Sequence, residues 1–264
     1  MPKPVCLTIA GLDPSGGAGI IADINTFSSF GCFGAAAVSS ITFQNTVGVF
    51  GAEHQTAENV RRQIEPIIED YDIAALKTGM LPTREVIEVT GQLIGRMGAA
   101  KVIVDPVVRS TSGFDLIDDD ALRSLIRVLF PLSELVTPNR AEAERITGLR
   151  IKTQVDVHAA AKEMQRMGAQ NVLIKGGHLN QETQSGRKAV DHLYIGDEVH
   201  TFEAEYIETT ATHGTGCTLA AAITANLALG KSLVDAVGIA KNFVSEAIRT
   251  APMLGHGHSP INIP

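Results

Sequence analysis

VCLTIAGLDPSGGAGIIADINTFSSF, residues 5 to 30, runs a short apolar segment into a glycine-rich turn and then into an amphipathic stretch. The apolar segment, 5–10, has the length of a strand. From 17 to 30 the apolar positions recur at helical spacing, with Ile20, Ile24 and Phe27 on one face. Strand, turn and helix in that order make a βα unit, the building block of a mostly parallel sheet.

The same alternation continues along the chain. Further strands are expected at AAAVSSI (35–41), IAALKTG (73–79), KVIVD (101–105), ELVTP (134–138) and NVLIKG (171–176), each followed by turn residues. A second amphipathic helix is expected over 232–249, where Leu233, Ala236, Val237, Ala240, Phe243, Val244 and Ala247 share a face. Gly230 and Ser232 supply the stop and the new N-cap before it. VDHLYIGDEVHTFEAE (190–205) reads as two strands about a Gly-Asp turn, a hairpin added to the sheet edge. The polar stretch NQETQSGRK (180–188) reads as a surface loop, so all 264 residues, 44% of them hydrophobic and 19% charged, are taken as one α/β domain, 1–264.

The bulk numbers narrow the partner. A net charge of −7 without clustered Lys or Arg argues against nucleic acid. No apolar run is long enough to span a bilayer, and Cys6, Cys32 and Cys217 form no CxxC pair, so neither disulfides nor a zinc site is indicated. A small-molecule ligand and a reducing cytoplasm fit these features. Cys6 and Cys32 are read as small buried apolar side chains.

In an open parallel sheet, ligands sit outside the carboxyl ends of the strands. There the chain places Gly79 and Met80 after one run, Asp105 after another, Asn139 and Glu142 after a third, and Lys175 after a fourth. Any one of these would serve as an ordinary turn residue; together they suggest a site. The turn GLDPSGGAG (11–19) lacks the GxGxxG spacing and a following Walker lysine, which weakens dinucleotide and P-loop readings. The turn GTG (214–216) opens a helix that is apolar nearly all round and therefore buried, so its amides are aimed into a cleft and suit an anion. Capping by Thr212 or Thr215 is the plainer alternative. Cys217 lies in the first turn, where the helix dipole is expected to lower a thiol's pKa and let it accept a proton. DDD (118–120) reads as the capped and charged start of a helix. GHGH (255–258) lacks a third ligand for a metal, and His213 is expected to shape the anion turn.

The segments AGLDPSGGAGIIAD, TFQNTVGV, KTGML, VDPVV, TPNRAEAE, VLIKGGH, THGTGCTLAAAI and the terminal GHGHSPIN, in this order and spacing, resemble the hydroxymethylpyrimidine/phosphomethylpyrimidine kinases of thiamin biosynthesis over essentially the whole chain. That family belongs to the ribokinase-like superfamily, and GTGC is the most specific element of the likeness. The resemblance implies a single-domain three-layer α/β sandwich with a mostly parallel central sheet, and a homodimer. It implies Cys217 as catalytic base, where most relatives have aspartate, with the amides of Gly214, Thr215 and Gly216 holding the transferred phosphoryl group. It implies that Gly11, Asp23, Gln44, Met80 and Val107 line the pyrimidine pocket, and that Asp105, Asn139 and Lys175 serve ATP, with Glu142 organising Mg²⁺. Thr111 stands where many members have lysine, and Leu12 and Phe43 where smaller or hydroxylated residues are common. Arg109 is the expected substitute cation for a second phosphorylation. A pyridoxal kinase, or a ligand-binding protein without activity on the same fold, are the alternatives.

Overall fold

The computed structural model describes residues 2–108, 116–176 and 187–264. The strands are β1 (Val5–Leu12), β2 (Phe33–Gln44), β3 (Val49–His54), β4 (Ile73–Thr78), β5 (Lys101–Val104), β6 (Leu135–Val136), β7 (Asn171–Lys175), β8 (Lys188–Ile195) and β9 (Glu198–Glu205). They form one sheet in the order β3-β2-β1-β4-β5-β6-β7-β8-β9. The six from β2 to β7 are parallel to their neighbours. The edges are antiparallel: β3 on β2, and the hairpin β8–β9 on β7.

The helices are α1 (Gly19–Ser29), α2 (Ala57–Asp70), α3 (Arg84–Ile94), α4 (Asp119–Leu129), α5 (Arg140–Thr147), α6 (Gln154–Arg166), α7 (Thr215–Ala228) and α8 (Leu233–Arg249). One layer holds α1, α7 and α8, and the other holds α2 to α6. Burial on both faces explains the near-continuous apolar strands. Along β5 the faces alternate: Val102 and Val104 join the core beneath α2 to α6, while Ile103 joins the core beneath α7 and α8. Cys6 and Cys32 pack with Phe27, Ala221 and Ala225 between α1 and α7. Local chemistry sets the helix starts. Asp118 accepts from the amide of Ala121 at 2.8 Å and Asp119 and Asp120 fill the first turn of α4, while Ser232 caps α8.

The expected elements are present, with differences at their ends. β1 extends to Leu12, because a register shift after Ala10 lets Gly11 and Leu12 pair with Ser40 and Ile41. β6 is only two residues long. β3 was not expected. Its residues are half exposed and show no clean alternation, and the strand exists because the far end of β2 needs an antiparallel partner. Most of the loop expected at 180–188 lies outside the described residues.

The topology fixes where a ligand goes. From β1 the chain crosses to β2 on one side and later returns to β4 on the other side of β1. Such a reversal opens a crevice at the carboxyl ends of the two central strands. Beneath it, Lys77 of β4 and Asp23 of α1 form a fully buried ion pair at 2.9 Å, and Thr8 donates to the same Asp23 oxygen at 2.6 Å. Burial opposes the Lys77 ammonium, but Asp23, Cys217 and Asp105 more than offset it and hold its pKa above the ordinary value.

Breaking one side of this pair leaves a buried charge without its counter-charge. Lys77→Met should therefore lower the unfolding free energy by about 3–5 kcal/mol, and Lys77→Met with Asp23→Asn should recover most of it. Guanidinium unfolding measures both. A single variant within about 1 kcal/mol of wild type would show that the pair does not hold α1 to the sheet.

Candidate active site

A cavity of about 630 Å³ opens along the carboxyl ends of the parallel strands. Twelve of the thirteen residues that the family resemblance assigns to the site line it: Gly11, Gln44, Met80, Val107, Asp105, Asn139, Glu142, Lys175, Gly214, Thr215, Gly216 and Cys217. Asp23 is the exception. It is fully buried and absent from the cavity wall, because its side chain turns from α1 toward Lys77 and Thr8 instead. Arg109 and Thr111 lie outside the described residues.

At one end the wall is apolar and close-fitting. Met80 is 7% exposed, and its sulfur lies 3.3 Å from where a Cβ on Gly11 would stand, so one side chain fills the core and lines the cavity. Gln44, the last residue of β2, donates from Nε2 to Thr42 Oγ1 at 2.6 Å, and Thr42 donates to the carbonyl of Leu12 at 2.9 Å. This chain fixes the plane of the Gln44 amide.

At the other end the wall is charged. Asp105 follows β5 and accepts from Lys175 Nζ and Thr137 Oγ1, both at 3.0 Å. Burial would raise its pKa, but Lys175 and Lys77 hold it below the usual carboxylate range. Asn139 and Glu142 form the capping box of α5: Asn139 Oδ1 accepts from the Glu142 amide at 2.9 Å, and Glu142 Oε2 from the Asn139 amide at 2.7 Å. The pair thus has a structural duty as well as a place on the cavity. Burial pushes Glu142 up to about 7, with Lys175 opposing and the nearby charge of Asp105 adding to the rise.

Between the two ends stands the start of α7. Gly214 is its N-cap, in the left-handed region at φ +85°, and no side chain caps the helix. Thr215 instead donates its hydroxyl to the Thr212 carbonyl at 3.1 Å. The capping alternative therefore fails, and the helix offers its first-turn amides to the cavity. Gly214 has no substitute: a Cβ there would collide with the carbonyl oxygen of Gly17. Residues 218–227 of α7 are all buried, as the apolar sequence implies. The Lys175 ammonium stands 3.4 Å from where a Cβ on Gly216 would lie, so the cation and the turn face the same space.

The thiol of Cys217 departs from expectation. Burial pushes it up to about 11; Lys77 and the amide of Gly19 pull it down, while Asp23 and Asp105 push the same way as burial. The two carboxylates, brought from distant parts of the chain, act against the helix dipole on which the expectation of a lowered pKa rested.

Three features of the site escaped sequence reading. His213 Nε2 meets Asp13 Oδ2 at 2.7 Å across the cavity's rim. Burial would raise Asp13, but hydrogen bonds from His213 and from Ser15 hold it below the usual range. Lys77 lies behind Cys217. At the far end, Asp191 accepts from Lys241 Nζ at 2.7 Å and from the Gly176 amide at 3.0 Å. Of these residues only His213 is singled out in the sequence, as one that shapes the anion turn.

Comparison with known proteins gives this geometry a family. The model of the phosphomethylpyrimidine kinase family matches residues 13–262. A hydroxymethylpyrimidine/phosphomethylpyrimidine kinase of Bacillus subtilis is 43% identical, over 97% of this chain and 93% of its own. Among solved structures, a phosphomethylpyrimidine kinase from Clostridium difficile is 39% identical with a TM-score of 0.81, over 93% of this chain and all of its own. A pyridoxal kinase from Staphylococcus aureus, in complex with AMP-PCP and pyridoxal, is 32% identical with a TM-score of 0.90, over all of this chain and 94% of its own. A mostly parallel sheet between two helical layers, a glycine turn ending in Cys217 at the centre of its cleft, and relatives of this kind over nearly the full length lead to one conclusion: the chain belongs to the hydroxymethylpyrimidine/phosphomethylpyrimidine kinases, a family of phosphotransferases.

Proposed function

We propose that this chain, acting as one cytoplasmic domain spanning residues 1–264, transfers the γ-phosphoryl group of ATP to the hydroxymethyl oxygen of 4-amino-5-hydroxymethyl-2-methylpyrimidine, and then to the monophosphate so formed. The observation that carries the reading is the uncapped start of α7, with Cys217 in its first turn, set between an apolar end bearing an oriented amide and an end bearing Asp105, Glu142 and Lys175. Gln44 offers both a donor and an acceptor, which an amine beside a ring nitrogen requires. Lys175 and the amides from Gly214 to Cys217 face the charge that develops on the transferred group. The hydroxymethyl oxygen forms the new bond to γ-phosphorus, the bond from phosphorus to the bridging oxygen breaks, and ADP leaves. The hydroxyl proton passes to the Cys217 thiolate. A raised pKa makes that thiolate scarce at neutral pH and correspondingly more basic when it forms.

Asp105 and Glu142 are the residues that would hold Mg²⁺. Hard oxygen donors suit it, and one or two carboxylates with substrate phosphates are its usual protein ligands. The raised Glu142 pKa supports the fit, since Asp105 contributes to that rise and a nearby divalent cation would relieve it. When bound, Mg²⁺ neutralises charge on the β- and γ-phosphates.

A second acceptor, pyridoxal, is favoured by the TM-score of 0.90 to a pyridoxal kinase. A homodimer is supported by the apolar strip along the β2–β3 edge, where Phe43, Val47 and Phe50 are more than half exposed.

The test is a chromatographic time course with ATP, Mg²⁺ and either acceptor. The pyrimidine should be consumed faster than pyridoxal and yield the monophosphate, then the diphosphate. Cys217→Ala should slow the first step by about a hundredfold or more, the scale of general-base loss. Faster turnover of pyridoxal would move the assignment to that acceptor, and an unimpaired Cys217→Ala would remove the base from Cys217.

Glu142 gives a test of the charged end with a defined sign. Its ordinary pKa is 4.5 and its folded value about 7, so the native state binds the proton more tightly than the unfolded chain does. The stabilisation is fully present below about 4.5 and is lost as pH rises through about 7, a contribution of up to about 3 kcal/mol. Denaturant unfolding from pH 5 to pH 8 should show a decline that Glu142→Gln flattens, and Mg²⁺ at pH 8 should restabilise wild type more than the variant. Parallel pH curves for the two proteins would contradict the assignment.

A further inference from the structure

The terminal motif GHGHSP, 255–260, has no part in the chemistry described above, yet it is the segment against which the anion turn rests. At one side it is tied to Thr46, two residues beyond Gln44: the Thr46 carbonyl accepts from the His258 amide at 2.7 Å, and its hydroxyl from the amides of His256 and Gly257 at 3.2 and 3.3 Å. At the other side it is tied to the residues just before Gly214. The Ser259 carbonyl accepts from the His213 amide at 3.2 Å, and His258 Nδ1 and Thr212 Oγ1 are 3.1 Å apart. The approach to Thr46 is so close that a Cβ on Gly257 would collide with the Thr46 carbonyl, which accounts for the glycine. Nothing in the general stability of a terminal segment requires bonds to these two places.

We propose that residues 255–260 form a positioning strap, with His258 and Thr46 as its positioning residues, which seats the anion turn in fixed register with the acceptor-reading end of β2. The inference rests on the phosphoryl-transfer reading above and extends it to residues that touch neither substrate. His213 is held from two sides: its ring by Asp13, which follows the Leu12 carbonyl that anchors Thr42, and its backbone by Ser259. One route begins on β2 at Thr42 and the other at Thr46 just beyond its end, and both end at the residue before Gly214. Amide donors stabilise a transition state only if they are already in place, and a displacement of about 1 Å is costly. The strap supplies that placement, and its loss should act on turnover more than on binding.

Thr46→Val removes a hydroxyl with little change of shape, His258→Leu removes the link to Thr212, and His258→Asn keeps a polar atom near the Nδ1 position. Steady-state kinetics of the full-length protein with the pyrimidine and ATP, alongside thermal unfolding, should show kcat about tenfold lower for the first two, KM values for both substrates within about twofold, and melting within a few degrees of wild type. His258→Asn should recover most of the turnover. A role confined to stability would move the melting temperature and leave kcat per folded molecule unchanged, and that result would overturn the proposal. Amide hydrogen exchange at His213 and Thr218, whose N–H groups donate to the Ser259 and Gly214 carbonyls, gives a readout that needs no acceptor: exchange should quicken about tenfold in Thr46→Val, and unchanged exchange would overturn the strap even if the acceptor assignment failed.

Discussion

The close contact of bare backbone between Gly17 and Gly214 is the constraint around which the site is arranged. Gly17 belongs to the turn after the first strand and Gly214 to the turn before α7, and no side chain fits at Gly214 without striking the other's carbonyl. The contact brings the first crossover and α7 to the same point of the crevice. It leaves the start of α7 without a capping side chain, so its amides face the cavity. The glycines of both turns are therefore a packing requirement first, and the anion-binding geometry follows from it.

Around that point the charges are arranged in buried pairs. Lys77 with Asp23 lies beneath the thiol, Lys175 with Asp105 beside the turn, and Lys241 with Asp191 at the far end. Each lysine is held by a carboxylate from another element, so the cleft is polar without leaving isolated buried charge. Glu142 is incompletely compensated, since it answers to Lys175 already paired with Asp105. The same surroundings decide the thiol: in water-poor surroundings with two carboxylates nearby, a cysteine is a weak acid even at a helix N-terminus.

Much of this was legible in the sequence because the information was local. The apolar runs at 101–105 and 171–176, the Asp118 cap and the uniformly apolar α7 each declare themselves within a few residues. The strand ends then collect Asp105, Asn139, Glu142 and Lys175 at one edge by topology alone. What could not be read is non-local. Asp13 and His213 meet across 200 positions, and Lys77 on β4 finds Asp23 on α1 across 54. The family resemblance implied Asp23 as a cavity residue, but the helix phase aims it at the sheet. β3 was hidden because its partner is an extension of β2 that no local period announces. The identity of the family came from motif order rather than from any one of these physical signals.

The central claim is that the backbone turn of Gly214, acting with Lys175, supplies the charge stabilisation at the reacting phosphorus. Gly214→Ala tests it most directly, because the added methyl must push the turn off Gly17 while leaving every side chain of the site in the sequence. Turnover should fall about a hundredfold or more, with ATP and pyrimidine dissociation constants, measured by calorimetry, within a few-fold of wild type. Turnover at the wild-type rate in a folded Gly214→Ala protein would contradict the account.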